Sequence, residues 1–325
     1  MEGTRMRYHR SQAKAFGKTQ MRGIWAAIPY PFLQSGELDE AALRKDLRHY
    51  IDVLKIDGFF CGGLIGEWWS LTMEERRRGQ QIVVEEVGDK AQVIAHTACP
   101  SIRETVALTL HAQTVGATYA VIGNPPMNSR YPDHLFEFFR RVCAEVDIAV
   151  ALFNTHFAGY ALSPELVGRL AGIENIFCIK NPQPPEHMAA VRRQVGSRIL
   201  VCDPTESRWL DNIVSHKDQV FMSSPAPYLL QAAGRLTMRE YTRQALAGDV
   251  EAAHKTSASL DRARSVLQKW METPWQNGIL PLAAIKYWSE MLGLSGGAPR
   301  PPLLPLTPEE KEELRKDLVE AGLLS

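Results

Sequence analysis

A single lysine closes a short apolar run, IFCIKNP, from Ile176 to Pro182. If that run is a buried strand, Lys180 stands at its end among apolar neighbours. Desolvation there disfavours the ammonium form, lowers the pKa and leaves a free amine able to attack a carbonyl. A lysine just past the strand and facing solvent would do none of this, and the run alone does not separate the two. Other reactive groups end or follow similar runs: His96, Tyr131, His156, Tyr160, Asp203, Glu206, Ser223 and Ser224. His156 is the first choice for acid–base work, because an imidazole titrates near neutral pH. A surface histidine satisfied by backbone is the alternative, and His96 fits packing equally well. No HxH or HExxH spacing joins His96, His156, Asp203 and Glu206, so neither a metal nor a cofactor is expected.

A second stretch, GGLIGEWWSLTMEER over 62–76, is rich in glycine at its start. Glycines let backbone approach a ligand closely, and consecutive N–H groups form an anion-binding concavity. Leu64 and Ile65 would offer such groups to the carboxylate of a 2-oxo acid while a lysine attacks the adjacent carbonyl. A tight strand-to-helix turn would also require glycine for steric reasons alone. Glu67 reads as satisfying nearby backbone groups. Trp68, Trp69, Leu64, Ile65, Met127, Phe153 and Phe157 would make the surroundings unusually apolar, suited to a hydrophobic or aromatic substrate portion.

These residues need elements to position them. Runs that read as buried parallel strands fall at 24–29, 58–63, 92–97, 119–124, 150–154, 176–181, 199–203 and 219–224. Amphipathic segments such as 39–54, 72–87, 101–116 and 131–146 lie between them. Thr72 with Glu75, and Ser101 with Glu104, have capping-box spacing, and Ser163-Pro164 offers a cap followed by proline at the first helical position. The alternation predicts an α/β chain folded as a (β/α)8 TIM barrel. An open doubly wound sheet is the alternative, but no GxGxxG turn follows any strand. After about residue 226 the strands stop. Helices are expected at 226–247, 250–271 and 279–292, then a Gly/Pro-rich linker and a last helix opened by Thr307-Pro308. The expected organisation is a flexible N-terminal tail over 1–22, the barrel over 23–245 and a C-terminal helical extension over 246–325.

Composition narrows the function further. Lys+Arg and Asp+Glu both total 37 of 325 residues, so no basic excess points to nucleic acid or to a membrane surface. No apolar run reaches the ~18 residues of a membrane span, and the basic, polar N-terminus does not read as a secretory signal. The cysteines (Cys61, Cys99, Cys143, Cys178 and Cys202) are odd in number and lack CxxC spacing. They read as core residues of a protein in a reducing cytoplasm.

The stretch 62–76 resembles the signature of the dihydrodipicolinate synthase/N-acetylneuraminate lyase family through Gly63, Gly66, Glu67, Leu71, Thr72, Glu74 and Glu75. Tyr30-Pro31-Phe32, Phe153-Asn154, Lys180 and the tail GLSGGAPRPPLLPLTPEE extend the resemblance over roughly 23–325. It implies a barrel with Lys180 as Schiff-base nucleophile, a pyruvate-like 2-oxo acid as small-molecule substrate, lyase activity of the aldolase or hydratase-aldolase kind, and a homotetramer. Substrate contacts are expected from Gly63, Leu64, Ile65, Tyr131, Asp203 and Met222. The departures are as informative. Phe153 fills the slot of the family's relay tyrosine, and Leu64 and Ile65 replace hydroxyl residues. A second relay tyrosine would align near Met127, and the arginine for a second substrate carboxylate near Ala158. The expectation is therefore a divergent lyase that is not a true dihydrodipicolinate synthase, with His156 as candidate acid–base group. A decarboxylase, deaminase or hydrolase on the same scaffold, or a metabolite-binding barrel without catalysis, is the alternative.

Overall fold

Continuous apolar runs separated by capped amphipathic segments fold as the pattern dictates. A computed structural model describes residues 8–125 and 130–324. Its strands are β1 (Gly23–Ala27), β2 (Gly58–Cys61), β3 (Gln92–His96), β4 (Tyr119–Gly123), β5 (Ala149–Phe153), β6 (Ile176–Lys180), β7 (Leu200–Cys202) and β8 (Val220–Ser224). They form one parallel sheet in the order β7-β6-β5-β4-β3-β2-β1-β8. The sheet curls into a nearly closed (β/α)8 barrel in which β7 and β8 adjoin without a hydrogen-bonded ladder.

The helices between strands start where their caps are. Thr72 and Glu75 form a reciprocal capping box on Met73–Val87. Ser101 and Ser163 accept the third backbone N–H of Ile102–Val115 and Pro164–Leu170. Each strand end therefore feeds a defined turn at the C-terminal face of the barrel.

The first 22 residues are not simply a tail. Residues 1–7 lie outside the described part, but Arg10–Gln20 is a helix packed on β5 and β6. Tyr8 Oη donates to the Thr118 carbonyl (2.7 Å) and accepts the Ala149 N–H (2.9 Å). Gly17 lies so close to the Phe177 ring that a Cβ would stand 2.3 Å from it. Ala13 and Gly17 form the buried stripe of this helix. A stripe of two small residues carries little hydrophobic signal, which is why a charged, polar segment concealed a docked helix.

The region after β8 is helical, as expected, but more broken. Residues 226–247 divide into Ala226–Leu229 and Thr237–Leu246 around a turn bridged by Ala232 and Arg235, with Gly234 at positive φ. Residues 250–271 divide into Val250–Ala258 and Asp261–Leu267. The chain then widens into a π-helical turn, Gln268–Glu272, followed by Thr273–Gln276, Leu282–Met291 and Pro308–Glu320. No described helix is long and apolar enough to cross a membrane.

Candidate active site

Lys180 ends β6 with its Cα opposite Phe153 of β5. It is 6% exposed. Its Nζ lies 4.7 Å from the Phe60 ring centre and 4.6 Å from that of Phe153. Among the described residues it has no ion-pair partner. Burial pulls its pKa down from the usual lysine range to about 7, against a small opposing effect of Cys202. A large share of the amine is therefore unprotonated at neutral pH.

The turn after β2 faces this amine. Gly62 has φ +64°, and a Cβ on Gly66 would stand a tight 3.1 Å from Gly62 Cα, so both positions favour glycine. The N–H groups of Leu64 and Ile65 donate to no carbonyl among the described residues. Ile65 lines the cleft in front of Lys180, whereas Leu64 is buried beside it and Gly63 is packed on the Phe60 ring. Glu67, left-handed at φ +56° and fully buried, fixes the turn. Backbone partners are expected for it. It does accept the Arg300 N–H (2.8 Å), but its charge partner is Lys286 of the extension, at 2.5 Å and equally buried. The Phe32 ring lies against both the Lys286 ammonium (4.4 Å) and the Arg300 guanidinium (4.3 Å).

The cleft has a volume of about 650 Å3 and is bounded by the loops after β2, β5, β6, β7 and β8 and by the π-helical turn of the extension. Ile65, Phe153, Met271 and Trp275 supply apolar surface. His156, Gln183, Arg208, Ser223 and Glu272 supply polar groups. His156 sits in a single helical turn, His156–Ala158, with Nε2 donating to the Trp275 carbonyl at 3.2 Å. Ser223 is 1% exposed and its Oγ has no partner among the described residues. The Glu272 carboxylate makes no hydrogen bond or ion pair among them. Burial first, then Glu206, pushes its pKa above the usual carboxylate range, while Arg208 acts the other way.

Several residues singled out from the sequence have structural partners. Asp203 accepts two bonds from Arg208 (2.6 and 2.9 Å) and one each from the Thr205 N–H and Asn212. Glu206 accepts from Tyr241 Oη (2.6 Å) and Arg264 (2.8 Å). Met222 is core, with its sulfur 3.9 Å from Cys178 Sγ. Tyr131 is 63% exposed, caps Pro132–Ala144 and does not line the cleft. Tyr160 Oη donates to the Pro125 carbonyl, and Ser224 Oγ accepts the Ala226 N–H. His96 is buried against Trp68 and Arg76, and burial drives its pKa well below the usual value.

The apolar expectation holds only for part of the wall. Trp68 and Trp69 are half-buried outside the cleft, and Phe157 packs on Trp275. Met127 lies outside the described residues. Sequence reading missed Arg208, Met271, Glu272 and Trp275. The only local signal was an acid between two tryptophans, Trp270 and Trp275, just before Pro274.

The sequence profile of the dihydrodipicolinate synthetase family matches residues 20–321. The 4-hydroxy-tetrahydrodipicolinate synthase of Thermus thermophilus is 30% identical over 310 residues, covering 93% of this chain and 97% of that one. The crystal structure of dihydrodipicolinate synthase from Aquifex aeolicus superposes with a TM-score of 0.81 at 26% identity, covering 93% and 99% of the two chains. YagE, a prophage protein of the family from E. coli K12 solved in complex with pyruvate, gives 0.81 at 24% identity, covering 94% and 99%.

Proposed function

This chain belongs to the dihydrodipicolinate synthetase family, and on that premise we propose that its lyase chemistry runs through an imine between Lys180 and a 2-oxo acid. The observation that carries the reading is a buried lysine with no counter-ion among the described residues, its pKa lowered to about 7, facing a cleft. Its amine adds to the carbonyl at C2, and the resulting carbinolamine loses water. The protonated imine then accepts the electron pair released when a bond at C3 breaks, and the enamine left by loss of a C3 proton supplies the pair when one forms. The N–H groups of Leu64 and Ile65 and the Ser223 Oγ, all without partners among the described residues, suit the carboxylate. Pyruvate is the simplest such acid, and a family member of the same fold has been solved with it.

The partner half of the substrate differs from that of the synthases. The polar groups of that chemistry are missing at Phe153, at Leu64 and Ile65, near Met127 and near Ala158. Met271 and Trp275 instead offer apolar surface, so the reading is a lyase, not a true dihydrodipicolinate synthase, that takes a hydrophobic or aromatic portion. The missing tyrosine hydroxyl supports one second reading, an imine resolved by decarboxylation or deamination. The five buried, free cysteines suit a reducing cytoplasm, and a homotetramer follows the family pattern.

Borohydride trapping with mass spectrometry tests this. Pyruvate, and separately an aryl-bearing 2-oxo acid, should leave a reduced adduct on Lys180, and Lys180→Ala should leave none. Absence of any adduct with either acid refutes the imine.

A further inference from the structure

Forming or breaking a C–C bond at C3 through an imine on Lys180 requires a proton to leave or return at that carbon. The rings nearest the amine, Phe60 and Phe153, have no hydroxyl to exchange one. Among the groups that line the cleft, Arg208 remains protonated and is held by Asp203. His156 spends Nε2 on the Trp275 carbonyl. Glu272 is the carboxylate left without a committed partner among the described residues. We propose that Glu272, delivered by the π-helical turn of the C-terminal extension, exchanges the C3 proton of the 2-oxo acid held on Lys180. This inference rests on the imine reading above.

The turn that carries this carboxylate is anchored on both sides. Lys269 Nζ and Trp270 Nε1 both bond Asp317 of the last helix, at 2.6 and 2.7 Å. Met271 is buried. On the far side, the bond from His156 fixes the Trp275 carbonyl. Glu272 lies between these anchors and borders the cleft. A π-helical turn carries an extra residue relative to an α-helix, and such turns occur frequently at functional sites.

The charges around Glu272 are Arg208, Asp203 and Glu206, the last neutralised by Arg264. Burial and Glu206 keep the carboxyl easier to protonate than an exposed one, which suits a group that must both take and return a proton. In the step itself, a Glu272 carboxylate oxygen takes the C3 proton. The C3–H electron pair becomes the C2=C3 double bond, and the C2=N π pair settles on nitrogen, giving a neutral enamine. The reverse step returns the proton from the carboxylic acid to C3 and regenerates the protonated imine.

Pyruvate alone reports this step. In D2O, the enamine route replaces the methyl hydrogens with deuterium, which proton NMR follows against an enzyme-free blank. Wild type, Glu272→Gln and Glu272→Asp are compared, with borohydride trapping on Lys180 run in parallel. The expected result is equal trapping in all three, exchange slowed by about 10²–10⁴-fold in Glu272→Gln, and a partial return in Glu272→Asp. Trapping with undiminished exchange in Glu272→Gln overturns the role of Glu272 and leaves the imine standing, as does trapping without exchange in wild type. Loss of trapping in both variants also overturns the C3 assignment. Neither adduct nor exchange in wild type overturns the imine and this inference together.

Discussion

Replacing Lys180 by methionine should destroy the chemistry and stabilise the fold. Methionine keeps the length of the side chain and removes the amine. A lysine titrating near 10.4 in an unfolded chain and at about 7 in this fold is harder to protonate when folded. Below pH 7 both states carry the proton, and the folded state bears the whole cost of the buried ammonium. Above about 10.4 neither carries it and the cost is gone. Each pH unit between the two values is worth about 1.4 kcal/mol, which sets a ceiling of about 5 kcal/mol. Lys180→Met should therefore be more stable than wild type by about 2–5 kcal/mol at pH 7, and by less than about 1 kcal/mol at pH 10. Urea unfolding of both proteins at fixed concentration and at both pH values measures this. The difference between them cancels the titration of every other group that the substitution leaves undisturbed. A difference that stays flat from pH 7 to pH 10, or a methionine variant less stable than wild type at pH 7, refutes a lowered amine pKa. The nucleophile reading would then lose its physical basis.

Two further changes probe the surroundings. Lys286→Met leaves the fully buried Glu67 without its charge partner, which should cost about 3–5 kcal/mol in denaturant unfolding. Because Glu67 closes the turn facing Lys180, pyruvate trapping should weaken as well, and unchanged stability would show that the pair does not hold the turn. Phe153→Tyr places a hydroxyl beside Lys180. In a Glu272→Gln background it should raise deuterium exchange into pyruvate by about 10-fold or more, and no gain would mean that this position does not reach C3.

The barrel was legible because each buried strand is a nearly continuous apolar run and several of the following helices carry a local cap. Both are short-range signals. Lys180 was legible for the same reason, as one charge at the end of such a run. Glu67 was visible as part of a motif, but its partner Lys286 lies more than two hundred residues away, and nothing local joins them. Asp203 and Glu206 looked like candidates because they follow a strand. Only the fold shows both spent on arginines, Arg208 and Arg264. Glu272 went unnoticed for the converse reason. Its segment has no capping pattern, and its place at the cleft depends on a widened helical turn and on anchors at Asp317 and His156. The Arg10–Gln20 helix was missed because it docks through small residues.

The extension is as much part of the site as the barrel. Glu67 and Glu206 both stand on barrel loops at the catalytic face, and both are buried. Their cationic partners, Lys286 and Arg264, both come from the extension. A buried carboxylate stripped of its partner costs several kcal/mol, so a barrel without these helices would either take up protons at two sites or open its rim to water. The rim in question carries the Leu64 and Ile65 N–H groups on one side and the loop after β7 on the other. Both walls of the Lys180 cleft are thus held by charges from the same appendage that supplies Glu272. The appendage that carries Glu272 also supplies the charges that hold the cleft walls, so a shift of the extension would move the walls and Glu272 together.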